Sequence, residues 1–277
     1  MRFLHFILSH SIFIACCAMG LCYQTNVILQ LPQNKYLYGF IFFSTICSYN
    51  FYWLLSKFYF SKRNFDRVFL KKHFSFFCVF FTSAVGTLFF LWHVQQLIIY
   101  VLVGVFFTIL YSLPLWSFAS LKKLQRIGFF KTILLSLTWA YITTVLPAAE
   151  IIEVNILPII LLFITRFCFM LLLCIIFDRR DIDVDKLHGL RSLATDIPQQ
   201  KLSIIINMVF VVYFVMGLVL RFHFNDKPQM FAFLITGALV WLVYSLSLKK
   251  RGYIFYYFLV DGLMIVSAIC TFIASLF

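Results

Sequence analysis

Phe177-Asp178-Arg179-Arg180-Asp181-Ile182-Asp183-Val184-Asp185-Lys186-Leu187-His188-Gly189-Leu190-Arg191 closes a membrane-length apolar run. Four of the ten carboxylates in the chain fall between Asp178 and Asp185. Carboxylates at a membrane boundary are costly unless they find partners or do chemistry. Asp178, Asp181 and Asp185 are spaced D-x-x-D-x-x-x-D. On a helix advancing about 100° per residue, that spacing gathers all three within an arc of roughly 60°. Asp183 faces nearly the other way. A row of carboxylates repels itself unless a cation bridges it, and hard oxygen donors with room for phosphate oxygens suit magnesium. The plainer alternative is a solvated helix end, its charge offset by Arg179, Arg180, Lys186 and Arg191.

The apolar surroundings set the class. Of 277 residues, 63% are hydrophobic, 20% aromatic and only 12% charged. A soluble domain has about 25% charged residues, so this composition reads as a polytopic, all-α membrane protein with a single domain over residues 1–277. The formal charge of +13 is read as loop charge on one side of a membrane, not as a nucleic-acid surface. The eight cysteines lie mostly inside apolar runs without paired metal spacing or a disulfide framework. Met1-Arg2 followed by an apolar stretch reads as the first span instead of a cleaved leader.

A bilayer core needs about 20 apolar residues per helix. Nine segments qualify by inspection: 3–23, 36–58, 74–93, 96–113, 130–148, 155–177, 202–222, 229–247 and 254–275, with a tight turn at His93-Val94-Gln95-Gln96. Counting the edge residues Lys57 and Lys131 with the loops they border, nineteen of the 23 lysines and arginines fall before the first segment or after the second, fourth, sixth and eighth. Lys35, Arg221 and Lys227 lie on the other side, and Arg166 lies within the sixth. The positive-inside rule therefore places the N-terminus and the Asp178 motif in the cytoplasm and the C-terminus outside. Asp261 is a second ionisable residue deep in a span. Both it and Arg166 are expected to face the interior and to have partners, each other included.

Nine spans with a D-x-x-D-x-x-x-D leaving the sixth resemble the UbiA-type intramembrane prenyltransferases. Asp178 to Asp185, with the downstream Gly189 and the Arg191-Ser-Leu193-Ala194 tail, is similar to the second Asp-rich motif of that family. Tyr111-Ser-Leu-Pro114 and the basic loop after it resemble the family segment following span four. The motif match covers about twenty residues; the span pattern covers nearly the whole chain. The resemblance implies nine helices around a central cavity and transfer of an isoprenoid group from its diphosphate to a lipophilic or aromatic acceptor. It also implies Asp178, Asp181 and Asp185 as catalytic magnesium ligands. Asn50, Lys57, Tyr111, Lys122, Lys123 and Arg191 become candidate substrate contacts. Tyr49, Tyr52, Trp53 and Tyr111 become candidate lining of a prenyl pocket.

The chain departs from the family at its first Asp-rich motif. Only Asn50 remains; Phe51, Leu54 and Phe58 stand where aspartates belong, and Leu115 stands where a lysine belongs. One magnesium ion is therefore expected and a second has no evident ligands. A catalytically inactive member acting in lipid binding or assembly is the main alternative. Lys57, Lys122 and Lys123 have the plainer role of membrane anchors, and His188 that of a polar loop residue. A CDP-alcohol phosphotransferase is disfavoured because Arg179 follows Asp178 where that motif has glycine. A transporter is disfavoured by the lack of paired, glycine-broken helices.

Overall fold

A computed structural model describes residues 2–61, 73–112, 128–150, 155–187 and 192–277, the side chains of 2, 58–61, 128–129 and 184–187 excepted. The described residues are helical with no strand. In lipid every backbone polar group must be satisfied within the protein, and long helices do this segment by segment.

The helices are α1 (Arg2–Ser9), α2 (Ile12–Ile28), α3 (Lys35–Ser61), α4 (Phe74–His93) and α5 (Ile98–Ser112). Next, α6 runs from Gly128–Ala140 through a π-helical turn at Tyr141–Val145 into Leu146–Ala148. Then come α7 (Ile156–Leu187), the short α8 (Leu193–Asp196), α9 (Gln199–Phe224) and α10 (Lys227–Ser247). The last, α11, opens with a π-helical turn at Phe255–Val260 and continues as Asp261–Ala274. Neighbours run in the order α4, α3, α2, α11, α10, α9, α7, α6, α5, with α3 brought back against α6 by Tyr49 and Trp139.

Each of the nine expected segments lies on helix. Among the described residues seven helices are long and apolar enough to cross a membrane, and an eighth is gained only if Phe3–Ser9 and Ile12–Ile28, bent by 64°, count as one span. The all-helical, membrane-spanning class is thus met, but nine apolar spans are not shown among the described residues. The exception is α3: it is 27 residues long, but Lys35, Asn50, Lys57 and its tyrosines and serines dilute its apolar run. The protein is a multi-pass membrane protein. The expected tight turn is present, as a single 3-10 turn at Gln95–Leu97 joining α4 to α5.

Burial is uneven. α7 is the most enclosed span, with 72% of its apolar window buried, whereas α4 has 6%. Ile175 and Ile176 at 0% exposure and Leu172 and Leu173 at 2% place α7 at the centre of the main core. The α4 helix is held to α3 by two reciprocal fits. Phe90 of α4 packs on Gly39 of α3, and Phe43 of α3 packs on Gly86 of α4. The same device joins α9 to α10: Phe233 packs on Gly217 and Phe214 on Gly237. Small residues that let bulky partners approach are the usual basis of helix pairing in lipid, where apolar side chains gain little by leaving the solvent.

The bend between α1 and α2 is secured from two sides. Ser11 takes a left-handed φ of 64° there. The His10 carbonyl accepts from Asn50 Nδ2 of α3 at 2.9 Å. Its Nε2 lies 3.1 Å from Ser75 Oγ of α4, and its ring stacks on Phe6 and Phe76.

Candidate functional site

The last turns of α7 carry the acidic motif. Asp178 is half-buried and accepts a hydrogen bond from Thr132 Oγ1 of α6 at 2.5 Å. Thr132 also receives the Leu193 N–H at 3.4 Å, which ties α8 to the same point. Asp181 accepts two bonds from its neighbour Arg180, Nε to Oδ1 and Nη2 to Oδ2, each 2.7 Å. This forked pairing is the strong geometry for a guanidinium and a carboxylate. Arg180 is itself ringed by Phe177 at 4.9 Å, Tyr256 at 5.2 Å and Tyr257 at 4.8 Å, distances at which a cation is attracted to a ring face. Asp183 turns elsewhere and meets Lys250 at 3.1 Å, with both side chains largely in the open. The side chain of Asp185 lies outside the described residues.

Below this mouth the interior stays polar. Cys174 is one turn back from Asp178, beside Ser136, and within electrostatic range of Asp178, Asp261 and Lys131. Asp261 is 6% exposed. Among the described residues its carboxylate makes no hydrogen bond and no ion pair, although Arg180 is within electrostatic range. Asp261 follows directly on the π-helical turn of α11. Such turns are rare and are frequently found at functional sites. A carboxylate in an apolar interior without a hydrogen bond destabilises the fold. Asp261→Asn removes the capacity to ionise at constant size and is expected to raise the unfolding free energy in alkaline buffer, where an ionised carboxylate without a hydrogen bond costs about 1 kcal/mol or more. Thermal unfolding of both proteins in the same detergent would show this as a higher midpoint for the variant; a lower one would mean that Asp261 has a stabilising partner.

The other candidates fall into three groups. The structure brings Tyr52 and Tyr111 together, ring centres 5.1 Å apart, and Tyr49 against Trp139, whose Nε1 donates to Tyr49 Oη at 3.2 Å. These pairs form an aromatic wall between α3, α5 and α6. Asn50 and Lys57 are engaged locally. Asn50 is 1% exposed and spends its amide protons on the carbonyls of His10 and Ile46, at 2.9 and 2.8 Å, while its Oδ1 is buried without a partner. Lys57 lies over the Trp53 ring at 5.4 Å. Lys122, Lys123, His188 and Arg191 lie outside the described residues.

Arg166 and Asp261 do not pair. Arg166 instead donates to Gln24 Oε1 at 2.7 Å and to Leu21 O and Thr25 Oγ1 at 3.3 Å. Sequence reasoning also missed Thr132 and Ser136. Ser136 lies one helical turn after Thr132, but Lys131, Thr138, Thr143 and Thr144 on the same helix leave that spacing without a distinguishing signal.

No three His, Cys, Asp or Glu side chains converge as a metal set among the described residues. Asp178 and Asp181 alone supply two carboxylates. Magnesium is commonly held by one or two carboxylates, with water and substrate phosphates completing six ligands. Among the described residues Asp178 already accepts from Thr132, and both oxygens of Asp181 accept from Arg180. Compared with protein-family models, curated proteins and solved structures, the chain matches none.

Proposed function

We propose that this protein binds an isoprenoid diphosphate at the Asp178 end of α7, as a diverged intramembrane prenyltransferase. The supporting observation is the conjunction of Asp178, Asp181 and Arg180 at the end of the most buried span with an aromatic wall nearby. Cleaving a prenyl diphosphate requires neutralising the charge that develops on the leaving group. One magnesium ion on Asp178 and Asp181 would supply part of that charge. Arg180, already 2.7 Å from Asp181, is a permanent cation in the same place. Asp185 would complete the acidic face. Lys57, Lys122, Lys123 and Arg191 would meet the phosphates. Tyr49, Tyr52, Tyr111 and Trp53 would line the prenyl chain and exclude water, and an aromatic or lipophilic acceptor would approach from the bilayer. The reading includes α3 as a ninth span, a central cavity opening toward the Asp178 end, and an orientation with that end and the N-terminus in the cytoplasm and the C-terminus outside.

A second reading has its own support. Leu54, at a position where the family has an acid, is buried in the core at 9% exposure, and Arg180 holds Asp181 in a closed fork. Both favour a protein that keeps the ligand without cleaving it, serving lipid binding or assembly.

Binding of prenyl diphosphates of several chain lengths to the full chain in nanodiscs, with and without magnesium, separates these outcomes. Wild-type protein is expected to bind in magnesium. Asp178→Asn and Asp181→Asn should weaken binding by about 100-fold, since each removes a charged ligand worth about 2–3 kcal/mol. Binding without diphosphate release supports the second reading. No binding at any chain length would end both.

A further inference from the structure

The opposite end of α7 holds a different collection of charge. Arg166 lies twelve residues before Asp178, about 18 Å along the helix. It and Arg221 of α9 line one cavity of about 20 Å³, together with Gln24, Tyr213, Phe233 and Ser267. That is room for at least one water-sized body.

Both arginines are enclosed, at 4% and 5% exposure. A guanidinium stays charged in a protein, and a buried charge is tolerated only when it is paired. Neither arginine forms an ion pair among the described residues. Arg166 uses neutral acceptors on α2 and leaves Nε without a partner. Among the described residues Arg221 reaches only the Gly217 carbonyl, at 3.4 Å, and its Nε also has no partner. Phe233 covers its outer side at 4.6 Å. The two described acids of this end are employed elsewhere. Asp226, within electrostatic range of Arg221, caps α10 by accepting the Gln229 N–H at 2.9 Å. Glu150 accepts from the Asn34 side chain.

We infer that the cavity between Arg166 and Arg221 is a binding site for a small anion, either a free halide or the phosphate of a lipid headgroup. The anion sits between the two guanidinium groups and supplies the counter-charge that the helices lack. The site shares no residue with the Asp178 end, so it stands or falls independently of the prenyl diphosphate reading.

The surroundings offer a direct control. Gln24 Oε1 is already 2.7 Å from Arg166 Nη1. Gln24→Glu therefore places a carboxylate beside Arg166 and replaces the need for an external anion. The Ser267 and Thr271 hydroxyls, which now accept from Gln24 Nε2 at 2.8 Å, can rotate to donate. Arg221→Gln removes one of the two charges.

The test is thermal unfolding of the full chain at constant ionic strength. One arm exchanges gluconate for chloride or bromide in detergent. The other exchanges phosphatidylcholine nanodiscs for nanodiscs containing phosphatidylglycerol. Wild-type protein is expected to gain about 3 °C or more in one arm, and Gln24→Glu and Arg221→Gln should lose most of that gain. A gain in the halide arm identifies a free ion; a gain confined to the lipid arm identifies a headgroup phosphate. An unchanged midpoint in both arms for the wild type overturns the inference. So does a gain that Gln24→Glu retains in full. If Arg221→Gln does not fold, Gln24→Glu carries the comparison.

Discussion

Gln24→Leu is expected to lower the unfolding free energy by about 3 kcal/mol. The side chain is 5% exposed and joins three helices. Its carbonyl oxygen accepts from Arg166 of α7 at 2.7 Å. Its amide donates to Ser267 Oγ and Thr271 Oγ1 of α11, both at 2.8 Å, and to the Ser267 carbonyl at 3.1 Å. Hydrogen bonds to charged groups contribute about 1.5–3 kcal/mol, and a buried partner left unsatisfied costs about as much again. Leucine satisfies none of these groups. Gln24→Glu is the contrasting substitution, since it keeps an acceptor for the guanidinium. The measurement is equilibrium unfolding in mixed micelles. A cost below about 1 kcal/mol for leucine would mean that water replaces the glutamine.

Gly217→Ala is the second large effect, expected at about 2 kcal/mol. A Cβ at this position would fall well inside 3.0 Å of the Phe233 ring. Phe233 is 5% exposed and is packed against Tyr213 at 4.7 Å and the Arg221 guanidinium at 4.6 Å, so the ring has little room to retreat. Overpacking of this kind typically costs about 1–3 kcal/mol. The better intrinsic helix preference of alanine, about 1 kcal/mol in water, offsets part of it. Phe233→Leu added to Gly217→Ala should recover most of the loss. The double-mutant cycle would then show a coupling of about 1 kcal/mol or more. Additive effects would mean that the two residues do not meet.

Much of the scaffold was legible because lipid leaves a chain few choices. Runs of apolar residues of membrane length had to be helices, and every one of the nine segments is helical. The class of the protein could be read from composition, the turn after His93 from the break between two apolar runs, and the outward placement of Asp183 from helical periodicity. The limits of such reading are also clear. The 64° bend at His10 and Ser11 falls on the polar triplet Ser9-His10-Ser11, which a span-length reading passes over; its angle is held by Asn50 and Ser75 from other helices. Asn50 illustrates the same point at the site. The family resemblance makes it a candidate substrate contact, whereas its amide secures two backbone carbonyls. The partner of Arg166 could not be found by looking for an acid, because the partner is a neutral glutamine far away in sequence. Conversely, the Thr132 bond to Asp178 depends on how α6 and α7 pack, and no spacing within either helix reveals it.

The paired glycines and phenylalanines of α3 and α4 also make the bundle responsive to the thickness of its membrane. A helix that meets bilayers of different depth adjusts by tilting, and the least enclosed helix is the freest to do so. Here that helix is α4, but Phe90 seated on Gly39 and Phe43 seated on Gly86 prevent it from tilting alone. It moves α3 with it. Through Asn50 and Ser75 that pair also holds the bend at His10, so the junction between α1 and α2 is tied to both helices at once.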